Sequence, residues 1–123
     1  MLKFLTIRDF IIVSTLELDF SAGFTALTGE TGAGKSILID ALQLALGARA
    51  ESSVVREGAN RCEVCAEFEP TPAIQDWLET AGFDAATPLL LRRTVDTLGK
   101  SRAWINGSPA TATQLRELGE QLL

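Results

Sequence analysis

Residues Gly29-Glu30-Thr31-Gly32-Ala33-Gly34-Lys35-Ser36 fill every fixed position of the pattern G-x-x-x-x-G-K-[ST]. No other feature restricts the fold as much, because this loop does its chemistry only between a strand and a helix. Gly29, Gly32 and Gly34 allow backbone torsions closed to other residues and a close approach to an anion. Successive N–H groups then point inward as an anion-binding nest, backed by the unpaired donors and positive dipole end of the following helix. Lys35 supplies a point charge for the β and γ phosphates, and the Ser36 hydroxyl can ligate Mg²⁺ bridging them. The ligand this implies is ATP with Mg²⁺. The bland alternative is a glycine-rich strand-to-helix turn carrying an ordinary lysine. It is outweighed by the setting, since Phe24–Thr28 reads as a strand and Ser36–Leu46 as a helix apolar almost all round. Gly47 stands where a helix C′ residue is expected.

The rest of the chain reads as an α/β pattern. Two strands lie within Leu2–Phe20, with Arg8–Val13 as a bend carrying an apolar return, and Ser21–Gly23 forms a turn. A polar loop covers Arg49–Asn60, a strand Glu63–Phe68, and a short helix about Ala73–Ala81 follows Pro70-Thr71-Pro72. Strands are expected at Leu89–Val95 and Ser101–Ile105, the second ending at the turn dipeptide Asn106-Gly107. A final helix starts at Thr111 or Thr113 and carries Leu115, Leu118 and Leu122 on one face. Its cap signal is weak when read from Thr113, since the capping-box Glu falls one place late, at Glu117.

The two cysteines, Cys62 and Cys65, are spaced C-x-x-C. A zinc or redox role competes with a plain strand, on which residues three apart face opposite ways. The chain has no second such pair and no histidine to complete a metal site, so the strand reading is preferred.

Hydrophobic residues make up 46% and charged residues 22% of the 123, which fits one globular domain or part of one. No apolar run approaches the ~20 residues of a bilayer span, and Met1-Leu2-Lys3-Phe4 leads straight into strand-like sequence, so the expected location is the cytoplasm, away from the membrane. The net charge of −5 lacks the basic surplus of an autonomous nucleic-acid binder, though it leaves room for a local basic patch.

Hydrolysis also requires an acidic residue that helps hold Mg²⁺, usually ending an apolar strand, and a group that positions water. Leu89-Leu90-Leu91 runs into Arg92-Arg93, while Asp40 and Glu51 come too soon after the loop. The chain is therefore expected to bind nucleotide but to turn it over poorly, with no catalytic residue beyond Lys35.

Four segments together resemble the N-terminal lobe of SMC-like ATPase heads, and most closely a branch acting in bacterial DNA repair. They are Leu5–Phe10, Phe24–Ser36 with its Glu30-Thr31-Gly32-Ala33 filling, Val54–Gly58 leading into Val64–Phe68, and Leu91–Arg93 with Gly99–Arg102 and Ile105–Gly107. The resemblance implies an ABC-type P-loop fold split in sequence, here a mixed sheet with an antiparallel β subdomain over residues 1–123. A coiled coil and a C-terminal lobe would follow. Two heads would close on two ATP molecules as an ATP-dependent homodimer, and the full-length protein would act on DNA in double-strand break repair and recombination. The implied nucleotide-binding set is Gly29, Glu30, Thr31, Gly32, Ala33, Gly34, Lys35, Ser36, Ile37 and Arg56, with Ser36 also the Mg²⁺ ligand.

Arg8, Arg56, Arg92, Arg93 and Arg102 are candidates for DNA or nucleotide contacts, set against solvated surface charge. Arg56 is the strongest of them, because its loop resembles a head segment near the nucleotide. Trp77 and Trp104 offer base stacking, set against core or partial burial. The Glu30 side chain is expected to point away from the phosphates. The competing functional classes are the nucleotide-binding domain of a membrane transporter, a P-loop kinase or GTPase, and a nucleotide-sensing interaction module. No guanine-reading N-K-x-D is present.

Overall fold

Hydrophobic alternation decides the architecture. The computed structural model describes residues 2–20, 32–85 and 87–122, and for 32–35 the backbone alone. Six strands form one sheet in the order β2-β1-β3-β4-β5-β6: β1 Leu2–Phe10, β2 Val13–Asp19, β3 Arg61–Phe68, β4 Leu89–Asp96, β5 Ser101–Ile105 and β6 Ser108–Ala110. Every pairing among the described residues is antiparallel. The strand expected over 24–28 and the turn at 21–23 lie outside the described residues.

Side chains on a strand alternate between faces, so a register that matches alternation builds a core on one side. Leu5 and Ile7 pair with Ala66 and Val64, and Cys62, Val64, Ala66 and Phe68 pair with Val95, Arg93, Leu91 and Leu89. Ala103 and Ile105 continue the same face. Against it pack helix α1, Gly32–Ala45, through Ala41, Leu44 and Ala45, helix α2, Pro72–Ala81, through Ile74 and Leu78, and helix α3, Ala112–Leu122, through Leu115 and Leu118. These side chains form one buried cluster with the strands.

Helix ends follow their local chemistry. The Thr71 hydroxyl accepts from the Ile74 N–H at 3.3 Å, with Pro72 in the first turn, and Gly82 closes α2 in the left-handed conformation. Gly47, at φ 99°, closes α1: its N–H donates to Leu44 and that of Ala48 to Gln43, the two bonds of a Schellman motif.

Several details differ from expectation. The backbone of α1 starts at Gly32 rather than Ser36, so the last five residues of the glycine-rich motif already belong to the helix. The bend expected over Arg8–Val13 is tighter, since β1 continues to Phe10 and returns at Val13 through Ile11-Ile12 alone. Ile11 stands at φ 56°, which a β-branched residue rarely adopts, and its N–H is held by the Val54 carbonyl at 2.7 Å. Of the two starts expected for α3, Thr111 and Thr113, the cap is Thr111. The Thr111 hydroxyl accepts from the Gln114 N–H and the Gln114 side chain accepts from the Thr111 N–H, both at 3.0 Å, a complete capping box. β6 is not among the strands the sequence predicts; three residues with a proline give no alternation.

Candidate nucleotide-binding site

A helix that serves a phosphate-binding loop must present its N-terminus outward while its body is anchored. Ala41, Leu44 and Ala45 of α1 are buried on the sheet, whereas Ser36, Ile39 and Asp40 are exposed. Ser36 and Asp40 are one turn apart and share that exposed side. The first turn, Gly32 to Lys35, holds no acidic residue, so its free N–H donors and dipole end suit an anion. The exposed Ser36 hydroxyl has the hard-oxygen character that Mg²⁺ requires. Gly29, Glu30 and Thr31 lie outside the described residues, as do the side chains of Gly32, Ala33, Gly34 and Lys35. Ile37 is partly buried against the core.

The far end of α1 is held by two guanidinium groups. Arg93 of β4, 2% exposed, donates from Nη1 to the carbonyls of Leu44 and Ala48 at 2.9 Å each, and from Nε to the Ser101 hydroxyl at 2.6 Å. Arg116 of α3 donates from Nη1 to the Gly47 carbonyl at 2.9 Å. Cations at a helix C-terminus meet its negative dipole end and its unpaired carbonyls. Burial, reinforced by the nearby Arg116 charge, pushes the Arg93 pKa below the ordinary arginine range. This corrects the reading of Arg93 as a DNA, nucleotide or surface residue: it is a buried anchor for the helix carrying the glycine-rich motif. The alternation Leu89, Leu91, Arg93, Val95 contained the signal, because it places Arg93 on the core face.

Arg56 is fixed beside the β1–β2 turn. Its N–H donates to the Asp9 carbonyl at 2.8 Å and its Nε to the Asp9 carboxylate at 3.1 Å. Asp9 itself takes φ 49°. The loop before Arg56 includes a single 3-10 turn, Ser52–Val54, and Val55 bridges to Phe10. A small pocket lined by Phe10, Asp40, Gln43, Leu44, Ala48, Arg49 and Val54 connects this loop to the exposed side of α1.

Arg8, Arg92 and Arg102 sit on the sheet face opposite α1, away from the core. Trp104 shares that face, half-buried, with the Arg92 guanidinium 4.4 Å from its ring centre. Trp77 is also half-buried and stacks on Phe83 at 6.0 Å. Cys62 is buried and Cys65 half-buried on opposite faces of β3, both free thiols, as the strand reading expects. No cluster of three or more metal-ligating His, Cys, Asp or Glu side chains occurs among the described residues.

A family described as an AAA domain matches residues 5–87. The whole chain is 50% identical over 126 residues to the DNA repair protein RecN of Xylella fastidiosa strain 9a5c, and 47% identical over 125 residues to RecN of Vibrio cholerae. It covers 22% and 23% of those proteins, so the chain spans less than a quarter of the curated relatives it matches. Among solved structures, a chain studied for ATP-driven dimerization and DNA-stimulated activation of SMC ATPases aligns with a TM-score of 0.75 at 26% identity. That alignment covers 95% of this chain and 76% of the other. The Smc head domain of Pyrococcus yayanosii aligns at 0.71 and 27% identity, over 97% of this chain and 25% of that one. RecF bears the same fold, with a TM-score of 0.69 at 14% identity, over 94% of this chain and 29% of the RecF chain.

Proposed function

The chain belongs to the AAA-domain family, and on that premise we propose that it is the ATP-binding N-terminal lobe of an SMC-like ATPase head acting in DNA double-strand break repair. The observation that carries this reading is the placement of α1. The helix that ends the glycine-rich motif is packed into a sheet on one side, anchored at its C-terminus and acid-free at its first turn. That suits a phosphate site whose donors stay fixed when an anion arrives. Likeness to RecN across the full chain supports repair as the setting, and transporter or kinase readings gain nothing comparable from these relatives.

In the proposed site, backbone N–H groups of Gly29 to Gly34 bind the phosphates, Lys35 reaches the β and γ oxygens, and Ser36 holds Mg²⁺. Ile37 and Arg56 complete the contact set, Arg56 by exchanging part of its bond to Asp9 for the nucleotide. A C-terminal lobe and a second head would complete an ATP-dependent dimer, with DNA bound by the full-length protein in the cytoplasm, on the nucleoid. No helix among the described residues is long and apolar enough to cross a membrane.

Calorimetric titration with Mg-ATP tests the site. Lys35→Ala is expected to weaken binding at least tenfold, whereas Arg102→Ala on the opposite sheet face leaves it within about twofold. Equal, small effects of both substitutions would show that nucleotide does not occupy this loop. ATP and ADP are expected to bind with similar, modest affinity, and turnover by the 123-residue chain should stay at background.

A further inference from the structure

The strand residues that do not face the helices form cross-strand rows on the other side of the sheet. Arg8 pairs with Glu63, Glu63 with Thr94, and Thr94 with Arg102. The adjacent row runs Thr6, Cys65, Arg92 and Trp104, and Arg61 lies opposite Asp96. Arg61, Arg92, Thr94, Asp96, Lys100, Arg102 and Trp104 line one groove, and Arg8 is next to it. Four cations, Arg61, Arg92, Lys100 and Arg102, against one carboxylate, Asp96, make the groove locally basic in a chain of net charge −5, while Glu17 and Glu67 lie on the same sheet face outside it.

The two carboxylates nearest the groove, Asp96 and Glu63, are already engaged. Asp96 Oδ1 accepts from the N–H groups of Leu98 and Lys100 at 2.9 Å each, shaping the β4–β5 turn. Glu63 forms a salt bridge with Arg92. Among the described residues, Arg8, Arg61, Lys100 and Arg102 form no salt bridge, and all four are exposed. Arg92, steadied by Glu63, lies over the Trp104 ring and makes a flat cationic and aromatic platform between them.

We propose that this face binds single-stranded DNA. Phosphates contact Arg61, Lys100, Arg102 and Arg8, and a base stacks on the Arg92–Trp104 platform. Unpaired cations that track a backbone, together with an aromatic surface accepting any base, are the two components of sequence-tolerant single-strand binding. An acidic peptide would use the charges and leave the platform idle. The choice of DNA over RNA rests on the repair function proposed above.

The test is anisotropy titration of the 123-residue chain with labelled oligo-dT of about 16 nucleotides, the upper end of compact single-strand site sizes. Replacing Arg61, Lys100 and Arg102 together by glutamine should weaken binding more than tenfold at low salt. It should also lower the slope of log Kd against log salt by about 2, from roughly 0.7 per lost contact. Arg49→Gln, outside this face, should change neither quantity. With Trp77→Phe, Trp104 is the only tryptophan, and its fluorescence should be quenched by oligo-dT. No binding, an unchanged slope in the triple variant, or duplex binding as tight as oligo-dT without quenching would each overturn the proposal. Lys35→Ala should leave oligo-dT binding intact while removing ATP, so failure of the nucleotide site and failure of this face give different results.

Discussion

Arg93 donates to the Leu44 carbonyl at 2.9 Å and so joins the centre of β4 to the end of the helix that carries the last residues of the glycine-rich motif. The same guanidinium reaches Ala48 and Ser101, so three acceptors from three segments converge on one buried cation. Replacement by leucine removes a desolvated charge but strips the guanidinium from the Ala48 carbonyl and the Ser101 hydroxyl and leaves the Leu44 carbonyl with the Gly47 N–H alone, and a polar group left buried and unpaired costs about 1–3 kcal/mol. Arg93→Leu is expected to lower unfolding free energy by roughly 3 kcal/mol in urea denaturation, summing losses of this kind. Arg93→Lys should recover little, because an ammonium lacks the planar fork that serves several acceptors at once. A loss below about 0.5 kcal/mol, the range of ordinary surface substitutions, would show that the anchor is dispensable.

The strand pattern was legible because one side of the sheet is buried. Leu5 and Ile7, and Val64 to Phe68, show period-two alternation, and the register obeys it, whereas in Leu89 to Val95 the apolar Leu90 and the charged Arg93 blur the pattern. Asn106-Gly107 announced its turn through two positive-φ residues, realised at φ 49° and 85°. What escaped the sequence depended on tertiary partners or on reading one residue further. Arg93 looks like surface charge until its neighbours Leu91 and Val95 assign its face. The Thr111 capping box uses Gln114 as its reciprocal partner, whereas Glu117 falls one place late for a box at Thr113. The basic face joins Arg61 to residues 92–104, which are close only because β3 pairs with β4. Net charge cannot report such clustering.

The cysteines give a pH dependence. Burial raises the Cys62 thiol pKa above the ordinary range; the Cys65 thiol is also raised by burial, with the Glu63 charge adding to it. Both folded thiols therefore hold their protons at pH values where the unfolded chain releases them. Because the folded state then binds more protons, stability falls as pH rises. The contribution is complete below the unfolded thiol pKa of about 8.5 and declines above it, toward the raised folded values. Urea midpoints measured from pH 7 to 10 should decrease across the upper part of that window. Cys62→Ala should be less stable at pH 7, from the cavity it leaves, and should show a shallower decline. Iodoacetamide should alkylate both thiols far more slowly in native buffer at pH 7.5 than in urea. Rapid native alkylation of Cys65 would contradict the raised pKa.

Gly47 and Gly82 separate two costs that usually occur together. Both close helices at positive φ, 99° and 87°. A Cβ at Gly82 would meet nothing within 4 Å, so Gly82→Ala should cost only left-handed backbone strain, about 1–2 kcal/mol. A Cβ at Gly47 would lie 2.6 Å from Arg116 Cγ, 2.7 Å from the Ala112 carbonyl oxygen and 2.8 Å from the Arg116 nitrogen. Two of these are backbone atoms of α3 and cannot rotate away. Gly47→Ala must therefore displace the start of α3 from the end of α1, adding an overpacking cost of about 1–3 kcal/mol to the same strain. Denaturation should rank Gly47→Ala well below Gly82→Ala in stability. Because Arg116 also holds the Gly47 carbonyl, Arg116→Ala should weaken that end of α1 but relieve one of the three clashes. The double variant Gly47→Ala/Arg116→Ala is then expected to be more stable than the sum of the single losses. Strict additivity would mean that the backbone contacts at Ala112 and Arg116, rather than the Arg116 side chain, set the closeness of the two helices.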